Sequence, residues 1–357
     1  MRFLDTMDQQ TIERVKRGLE DPRVGPETIA LMLTKACNFK CLYCLGGKSI
    51  IQDFSEELTT KELFDLFRDA RDLQIKDINL GGLFGEPFCR KDIVKIMQEI
   101  KRLGLKGTMT TNGGFLNAEM AKIMTDCKWD VLRISLDSPD AAIQHALRPA
   151  VNKKPYLENI IEFLNTLQVI NSKITVILNV VISKLNFRSL PELAQFANKN
   201  KNIEYVNLLR LLDMNLVNYD DLQLNDEEVK EFKSILFRLK DENKLIYSNN
   251  WIELENVNHG ITQNKCGDKF KISNPENLDK CFVNYYILSI NSNGDVMKCP
   301  QYALGAEGLN IKKSSLKKIW QNEHLQFRQS LAENAACFKE CCTILREENK
   351  FVINALQ

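Results

Sequence analysis

Three features that mark membrane, secreted or nucleic-acid-binding proteins are missing from this sequence of 357 residues. No stretch approaches the roughly 20 apolar residues of a membrane-spanning helix, and residues 1–20 are too polar for a signal peptide. A formal net charge of +1, without a polybasic tract, argues against a nucleic acid or an anionic membrane as partner. We therefore expect a soluble, cytoplasmic protein.

Cysteine, by contrast, is abundant, and the count of eleven is odd. Most of the cysteines lie in two groups, one from Cys37 to Cys44 and the other from Cys266 to Cys342. In a reducing compartment such groups favour metal binding over disulfides. Cys89 and Cys127 stand apart, and we expect both to be small buried residues.

Short apolar runs alternate with amphipathic segments between residues 26 and 211. This alternation predicts a parallel sheet with right-handed crossovers, and six repeats predict an α/β fold, a partial (β/α)6 barrel of the TIM type. The chemistry of such barrels lies at the C-terminal ends of the strands. The predicted strands are 29–33, 78–80, 106–111, 131–136, 174–182 and 206–211. The predicted helices begin near Thr59 or Thr60, Asp92, Asn117, Leu157 and Leu190.

Beyond the repeats the character of the sequence changes. Residues 220–247 have a charged, helical pattern, which predicts a linking helix. Two apolar runs then flank Asn293-Gly294, which predicts a β-hairpin, and a helix capped by Ser314 or Ser315 follows. The expected regions are an N-terminal extension (1–25), a core (26–215), a linking helix region (216–265) and a small C-terminal domain (266–357).

Three cysteines separated by three and then two residues, Cys37, Cys41 and Cys44, follow the first predicted strand. Three thiolates on one loop can bind three irons of a cubane and leave the fourth iron open to a substrate or cofactor. A zinc site normally uses four ligands in paired groups, and a closed ferredoxin cluster needs a fourth cysteine nearby. With Tyr43 before the third cysteine, the pattern resembles the motif of the radical S-adenosylmethionine (SAM) family, which implies a 4Fe–4S cluster that binds SAM. A zinc site and unrelated buried cysteines are the alternatives.

Four further elements carry the resemblance, because each falls at or after the end of a predicted strand in the order found in the radical SAM family. Gly85-Glu86-Pro87 is similar to the family's Gly-Gly-Glu-Pro element, although the double glycine that includes Gly82 is separated from it. The others are a Thr-Asn-Gly element, a Ser-Leu-Asp element and an arginine after strand four. By this resemblance, SAM is bound by Gly82, Gly85, Glu86, Asn112, Ser135, Asp137 and Arg148.

The same resemblance implies the chemistry. An electron from a donor such as flavodoxin or ferredoxin enters SAM through the cluster, and a carbon–sulfur bond breaks. The resulting 5′-deoxyadenosyl radical abstracts a hydrogen atom from the substrate. The protein has to hold the reacting carbon near the radical and keep water away.

A second cluster is implied by the spacing of Cys281 and Cys299 around the predicted hairpin, which resembles the opening of SPASM and twitch domains. The chain lacks the extra CxxC pair of a full SPASM domain, so we expect one auxiliary 4Fe–4S cluster, as in twitch domains. A zinc knuckle or disulfides formed by the same thiols are the alternatives. The cysteines expected to complete the site are Cys337 and Cys341 or Cys342, with Cys266 as an alternate.

Three functions remain open. The first is radical oxidation, epimerisation or deoxygenation of a small molecule such as a sugar, cyclitol or nucleoside. The second is modification of a ribosomally synthesised peptide, and the third is a non-catalytic metal-binding module. The residues before strand one are too few for the leader-binding domain of many peptide-modifying relatives, which favours the small molecule. His145 and Arg210 are candidates for the substrate pocket, although each also fits a structural role.

Overall fold

The computed structural model describes residues 9–44, 55–81, 84–152, 154–211, 219–239, 245–247, 280–299, 306–333, 349 and 352–356. Its contacts divide the chain into two compact units. The first unit contains the described residues between 36 and 51 and between 108 and 266. The second contains those between 4 and 35, 52 and 107, and 267 and 357.

Strands and helices alternate along most of the chain, as predicted for the α/β class. The strands are β1 Thr28–Leu31, β2 Asp77–Leu80, β3 Lys106–Thr111, β4 Val131–Ser135, β5 Thr175–Ile182, β6 Ile203–Arg210, β7 Leu245–Tyr247, β8 Ile287–Ile290, β9 Asp295–Met297 and β10 Ala306–Asn310. The helices are α1 Gln9–Glu20, α2 Thr60–Asp72, α3 Ile93–Arg102, α4 Ala118–Asp126, α5 Ala141–Leu147, α6 Leu157–Val169, α7 Leu190–Asn198, α8 Tyr219–Leu222, α9 Asp226–Leu239, α10 Val283–Tyr286, α11 Leu316–Lys318 and α12 Leu325–Glu333. None of the described helices is long and apolar enough to cross a membrane.

Parallel strands in the order β3-β4-β5-β6-β7 form the sheet of the first unit. The β-branched run of β5 suits a central strand, because such side chains pack well on a pleated surface. Helix α4 packs on α6, and α7 packs on β6. Asn117 caps α4 and Asp140 caps α5, each by accepting backbone N–H bonds. This arrangement places the residues after β3 and β4 beside one another.

The second unit contains the order β10-β9-β8-β1-β2. Its β8–β9 and β9–β10 pairs are antiparallel, which confirms the hairpin at Asn293-Gly294, and Gly294 has the positive φ that the turn requires. Strand β8 also pairs in parallel with β1. Sequence periodicity gave no sign of this pairing, because it joins segments far apart in the chain.

Helix α1 belongs to the packing of the second unit. Val15 is fully buried in an apolar cluster that includes Cys281, Tyr285 and Leu331. Arg14 is also buried, and its Nε donates to the carbonyl of Gly25 at 3.0 Å. The expected N-terminal extension therefore contains a packed helix that the sequence analysis did not identify.

One secondary-structure prediction is wrong. The expected linking helix ends at Leu239, and residues 245–247 form β7, which pairs in parallel with residues 206–208 of β6. A run of three apolar residues is too short to distinguish helix from strand, and its pairing with β6 decides the outcome. The bounds of the four expected regions remain predictions.

Candidate active site

The cysteine loop of the first unit is held by backbone hydrogen bonds to the residues that follow α5. Three N–H···O bonds of 2.8 to 3.0 Å join residues 38–42 to residues 147–151, with Phe39 paired to Ala150. A further bond from the Cys44 N–H to the Cys41 carbonyl, at 3.1 Å, closes a turn between these two cysteines. The loop conformation is therefore set by protein contacts.

Two donors point at the sulfur of Cys37. The backbone N–H of Phe39 lies 3.4 Å from this Sγ, and Nδ2 of Asn112 lies 3.7 Å from it. Asn112 directly follows β3, and its own orientation is fixed because Nδ2 donates to Asn38 Oδ1 and Oδ1 accepts the Gly114 N–H. Hydrogen bonds to sulfur favour the thiolate that an iron ligand must supply.

A buried ion pair lies beside Cys41. Asp137 is fully buried and accepts bonds from Arg148 Nε at 2.8 Å and Nη2 at 3.2 Å. It also accepts the Val181 N–H at 2.9 Å and the Tyr43 hydroxyl. The Arg148 guanidinium lies 5.0 Å from the centre of the Tyr43 ring, and its Nη1 is 3.9 Å from Cys41 Sγ. One cation thus contacts an aromatic ring, a carboxylate and a cysteine of the loop.

Burial sets the protonation states in this network. It raises the pKa of the Cys41 thiol to about 12, although the Arg148 charge acts in the opposite direction. Burial also raises the pKa of Tyr43 well above its usual range, so the phenol keeps the proton that it donates to Asp137. Burial lowers the pKa of Arg148, but the contributions of its neighbours, with the Asp137 carboxylate first among them, together outweigh burial and hold that pKa well above its ordinary value. A metal therefore has to displace the proton of Cys41.

The contacts of the cysteine loop suit an iron–sulfur cluster. Within the part of the chain that the structure describes, no three His, Cys, Asp or Glu side chains converge closely enough to hold one metal ion. In a cubane each cysteine binds a different iron, so its thiolates stand further apart than the ligands of one ion. The N–H donors around Cys37 and the Arg148 cation near Cys41 suit the negative charge of such a group.

A row of polar residues on β4, β5 and β6 contains the expected Ser135 and two asparagines that the sequence analysis missed. Ser135 is in register with Asn179, which is in register with Asn207. Asn207 Nδ2 donates to Asn179 Oδ1 at 3.1 Å, while the buried Oδ1 of Asn207 has no hydrogen-bond partner among the described residues. The available signal was an asparagine between apolar neighbours in each of two strands.

The Gly-Glu-Pro element belongs to the second unit. Gly85 has a φ of 81°, which a side chain would strain. Glu86 is buried and accepts the N–H of Phe88 at 3.2 Å, so its carboxylate caps the short 3₁₀ turn Pro87–Cys89. The carboxylate thus shapes the turn that follows β2. Gly82 lies outside the described residues.

The two pocket candidates differ. His145, on α5, packs its ring 4.7 Å from the ring of Tyr156, and its buried Nε2 has no hydrogen-bond partner in the described segments. Tyr156 in turn donates to the carbonyl of Arg148 at 2.9 Å, so this pair braces the end of α5. Arg210 ends β6, and its side chain lies outside the described part.

Two of the expected auxiliary ligands are described. Cys281 is 9% exposed, and Cys299 packs against the same apolar cluster in the second unit. The Cys281 N–H donates to the carbonyl of Leu331 at 2.7 Å. The other cysteines considered for this site lie outside the described residues: Cys266, Cys337, Cys341 and Cys342.

Two family models match this chain, one in its N-terminal part and one near its C-terminal end. Residues 31–197 match the radical SAM superfamily, and residues 281–343 match the SPASM iron–sulfur cluster-binding domain. Among curated relatives, a GTP 3′,8-cyclase of Campylobacter fetus is 28% identical over 89% of this chain and 87% of its own length. The mycofactocin maturase MftC of Mycolicibacterium smegmatis is 23% identical over 89% of this chain and 74% of its own length.

Solved structures share the fold. SuiB of Streptococcus suis bound to S-adenosylmethionine has a TM-score of 0.65 at 17% identity, covering 95% of this chain and 76% of SuiB. The enzyme anSMEcpe with bound AdoMet has a TM-score of 0.60 at 14% identity, covering 93% of this chain and 100% of its own. These likenesses confirm the expected partial barrel of the TIM type.

Proposed function

This chain is a radical SAM enzyme with a C-terminal SPASM domain, and we propose that it cleaves SAM reductively in order to abstract a hydrogen atom from a peptide substrate. The observation that carries the proposal is the loop of Cys37, Cys41 and Cys44, fixed by its own backbone contacts. Asn112 lies against the first of these sulfurs and Arg148 against the second.

In the first unit, the three cysteines would bind the cluster, and Asn112 and Arg148 would stabilise their thiolates. Cys37, Cys41 and Cys44 would hold the 4Fe–4S cluster, which when bound supplies the electron that breaks the carbon–sulfur bond of SAM. Asn112 favours the thiolate of Cys37 through its Nδ2, and Arg148 does the same for Cys41.

Asp137 has a narrower role than the resemblance implied. Its carboxylate already accepts bonds from Arg148, Val181 and the Tyr43 hydroxyl. We therefore assign Asp137 to positioning Arg148 and Tyr43, and leave Ser135 as the candidate contact to SAM on β4. Gly82, Gly85 and Glu86 remain candidate SAM contacts on the Gly-Glu-Pro element, with the backbone as the binding group.

An auxiliary 4Fe–4S cluster in the C-terminal domain completes the proposal. Cys281 and Cys299 are its described ligands, and both contact one apolar cluster. A fully ligated cluster has no open iron, so its role would be to accept an electron from a substrate radical during an oxidation. The cysteines proposed to complete it are Cys337 and Cys341 or Cys342, with Cys266 as an alternate. The electron donor is proposed to be a flavodoxin or ferredoxin.

A peptide substrate is supported by two of the proteins that are similar to nearly the whole chain. The structure of SuiB bound to precursor peptide SuiA matches this chain with a TM-score of 0.64. MftC is named a mycofactocin maturase. The argument for a small molecule depended only on the stretch before β1, so the similarity over nearly the whole chain outweighs it.

A nucleotide is the second candidate substrate, because one specific observation favours it. The GTP 3′,8-cyclase of Campylobacter fetus is 28% identical over 89% of this chain, which extends through both domains. This candidate retains the small-molecule class expected from the sequence, with a nucleotide as its substrate.

The two candidate substrates are distinguished by testing which of them gives its hydrogen atom to 5′-deoxyadenosine. Anaerobically reconstituted enzyme with SAM and dithionite is given synthetic deuterated peptides encoded by small open reading frames next to its gene, or GTP. We expect deuterium from one such peptide in the 5′-deoxyadenosine, and no turnover of GTP. A cyclised product from GTP, with no deuterium transfer from any peptide, would replace the peptide by the nucleotide.

A further inference from the structure

We infer that Asn349 is a positioning residue for the auxiliary cluster, because it holds Cys281 in the orientation in which its sulfur meets iron. The inference rests on the proposed auxiliary cluster. It concerns a residue beyond residues 281–343, the segment that matches the iron–sulfur cluster-binding domain.

The Asn349 side chain bridges the backbone on both sides of Cys281. Its Oδ1 accepts the N–H of Phe282 at 2.7 Å, and its Nδ2 donates to the carbonyl of Lys280 at 2.7 Å. Between these contacts, the N–H of Cys281 donates to the carbonyl of Leu331 at 2.7 Å. The two peptide units that flank the Cys281 Cα are thereby fixed, and with them the direction of the Cys281 Cα–Cβ bond.

An asparagine matches this task chemically. The site presents one N–H that needs an acceptor and one carbonyl that needs a donor, and a primary amide supplies both. Asn349 is fully buried, so shortening the side chain leaves the Phe282 N–H and the Lys280 carbonyl without their partner and away from bulk water. An aspartate would keep the acceptor for Phe282 and lose the donor to Lys280.

The surroundings of Cys281 explain why its orientation needs such a clamp. The cysteine lies in an apolar cluster with Val15, Tyr285 and Leu331, so its sulfur meets iron only if the backbone on both sides of it is held in place. Metal ligands bind tightly only when the contacts behind them hold them in place. A plain structural role is the competing explanation, since Val352 and Ile353 of the same terminal segment are buried in that cluster.

The experiment isolates the auxiliary cluster. In a background with Cys37, Cys41 and Cys44 all changed to Ala, only auxiliary iron is counted, and the parent is expected to hold about four irons per chain. We expect Asn349→Ala to lower that iron at least fourfold and to abolish the EPR signal of the reduced cluster. Asn349→Asp should retain an intermediate amount of iron with shifted g values.

Two control variants separate positioning from folding. Val352→Ala weakens the docking of the same segment without touching the clamp. Asn202→Ala removes another buried asparagine, whose Nδ2 bonds the carbonyls of Ser172 and Ile174 at 3.0 and 3.1 Å in the first unit. Both should lower the thermal unfolding midpoint and keep about four irons, the number expected for one cubane.

Each result has one meaning. Full iron and an unchanged EPR spectrum in Asn349→Ala, or equal iron loss in Val352→Ala, would overturn the positioning role. A parent background that holds zinc in place of iron would instead overturn the proposed auxiliary cluster itself.

Discussion

Breaking the buried Asp137–Arg148 pair should cost far more stability than breaking an exposed pair. Replacing Arg148 by Met leaves a carboxylate with no solvent exposure and no counter-charge. Removal of one partner of a buried pair typically costs about 3–5 kcal/mol. The N–H of Val181 and the Tyr43 hydroxyl still donate to the carboxylate, so we expect a loss of about 3 kcal/mol, at the lower end of that range.

The double variant tests the reasoning more sharply than either single one. When Asp137 is changed to Asn in the same chain, no charge stays buried, so the double variant should lose less than the sum of the two single losses. We expect a coupling of at least about 2 kcal/mol, within the range for residues in direct contact. The matched control is Arg188→Met, whose partner Glu231 and own side chain are both exposed, and its stability should stay close to that of the wild type.

The assay is urea unfolding of the iron-free protein under anaerobic, reducing conditions, followed by circular dichroism. Iron-free protein is used because Arg148 lies 3.9 Å from Cys41, so a bound cluster would add its own contribution to stability. A loss below about 1 kcal/mol for Arg148→Met, or additive single losses, would refute the claim that this pair organises the site.

Three further results are expected from urea or pH-dependent unfolding. Gly113→Ala should lower the free energy of unfolding by about 2–4 kcal/mol, because φ at this position is +83° and the new Cβ would lie 2.5 Å from Cδ1 of Ile160. Gly104→Ala is its control: φ is +75° but the Cβ meets open space, so the loss should be about 1 kcal/mol. Thr59→Ala removes the capping box of α2 and should cost about 1 kcal/mol. Burial lowers the pKa of His324 in the folded protein to about 3. As pH falls below about 6.5, this histidine takes up a proton in the unfolded state but not in the folded state, so the folded state loses stability. We expect the free energy of unfolding to fall by about 2 kcal/mol between pH 7.5 and pH 5, and His324→Leu to abolish this loss.

Local signals in the sequence were sufficient where they agreed with the fold. Strand β3 begins and ends where the sequence predicts, and helix α6 begins where the sequence predicts, because turn residues and periodicity mark the same boundaries. Strand β7 failed the same approach. Its three residues carry no periodicity of their own and depend on pairing with β6.

The sequence named candidate residues of the site, but it could not show most of the contacts between them. The cysteine spacing and the Thr-Asn-Gly element predicted that Cys37 and Asn112 serve one centre, and the structure brings them within 3.7 Å. Nothing local in the sequence could show that the Asp137 carboxylate forms an ion pair with Arg148, eleven residues away, because that pair depends on where α5 ends. The contact between Asn349 and the residues around Cys281 was hidden for the same reason, since it joins residues nearly seventy positions apart.

The central claim is that SAM cleavage depends on the loop of Cys37, Cys41 and Cys44. The most direct measurement is 5′-deoxyadenosine formation from SAM by anaerobically reconstituted protein with dithionite, in wild type and in the variant with all three cysteines changed to Ala. Cys127→Ala is the control, because this cysteine, which is half-buried and not buried as the sequence predicted, follows α4 with its sulfur 3.3 Å from the carbonyl of Met124. We predict cleavage in wild type and control and none in the triple variant; cleavage at the wild-type rate in the triple variant would contradict the account.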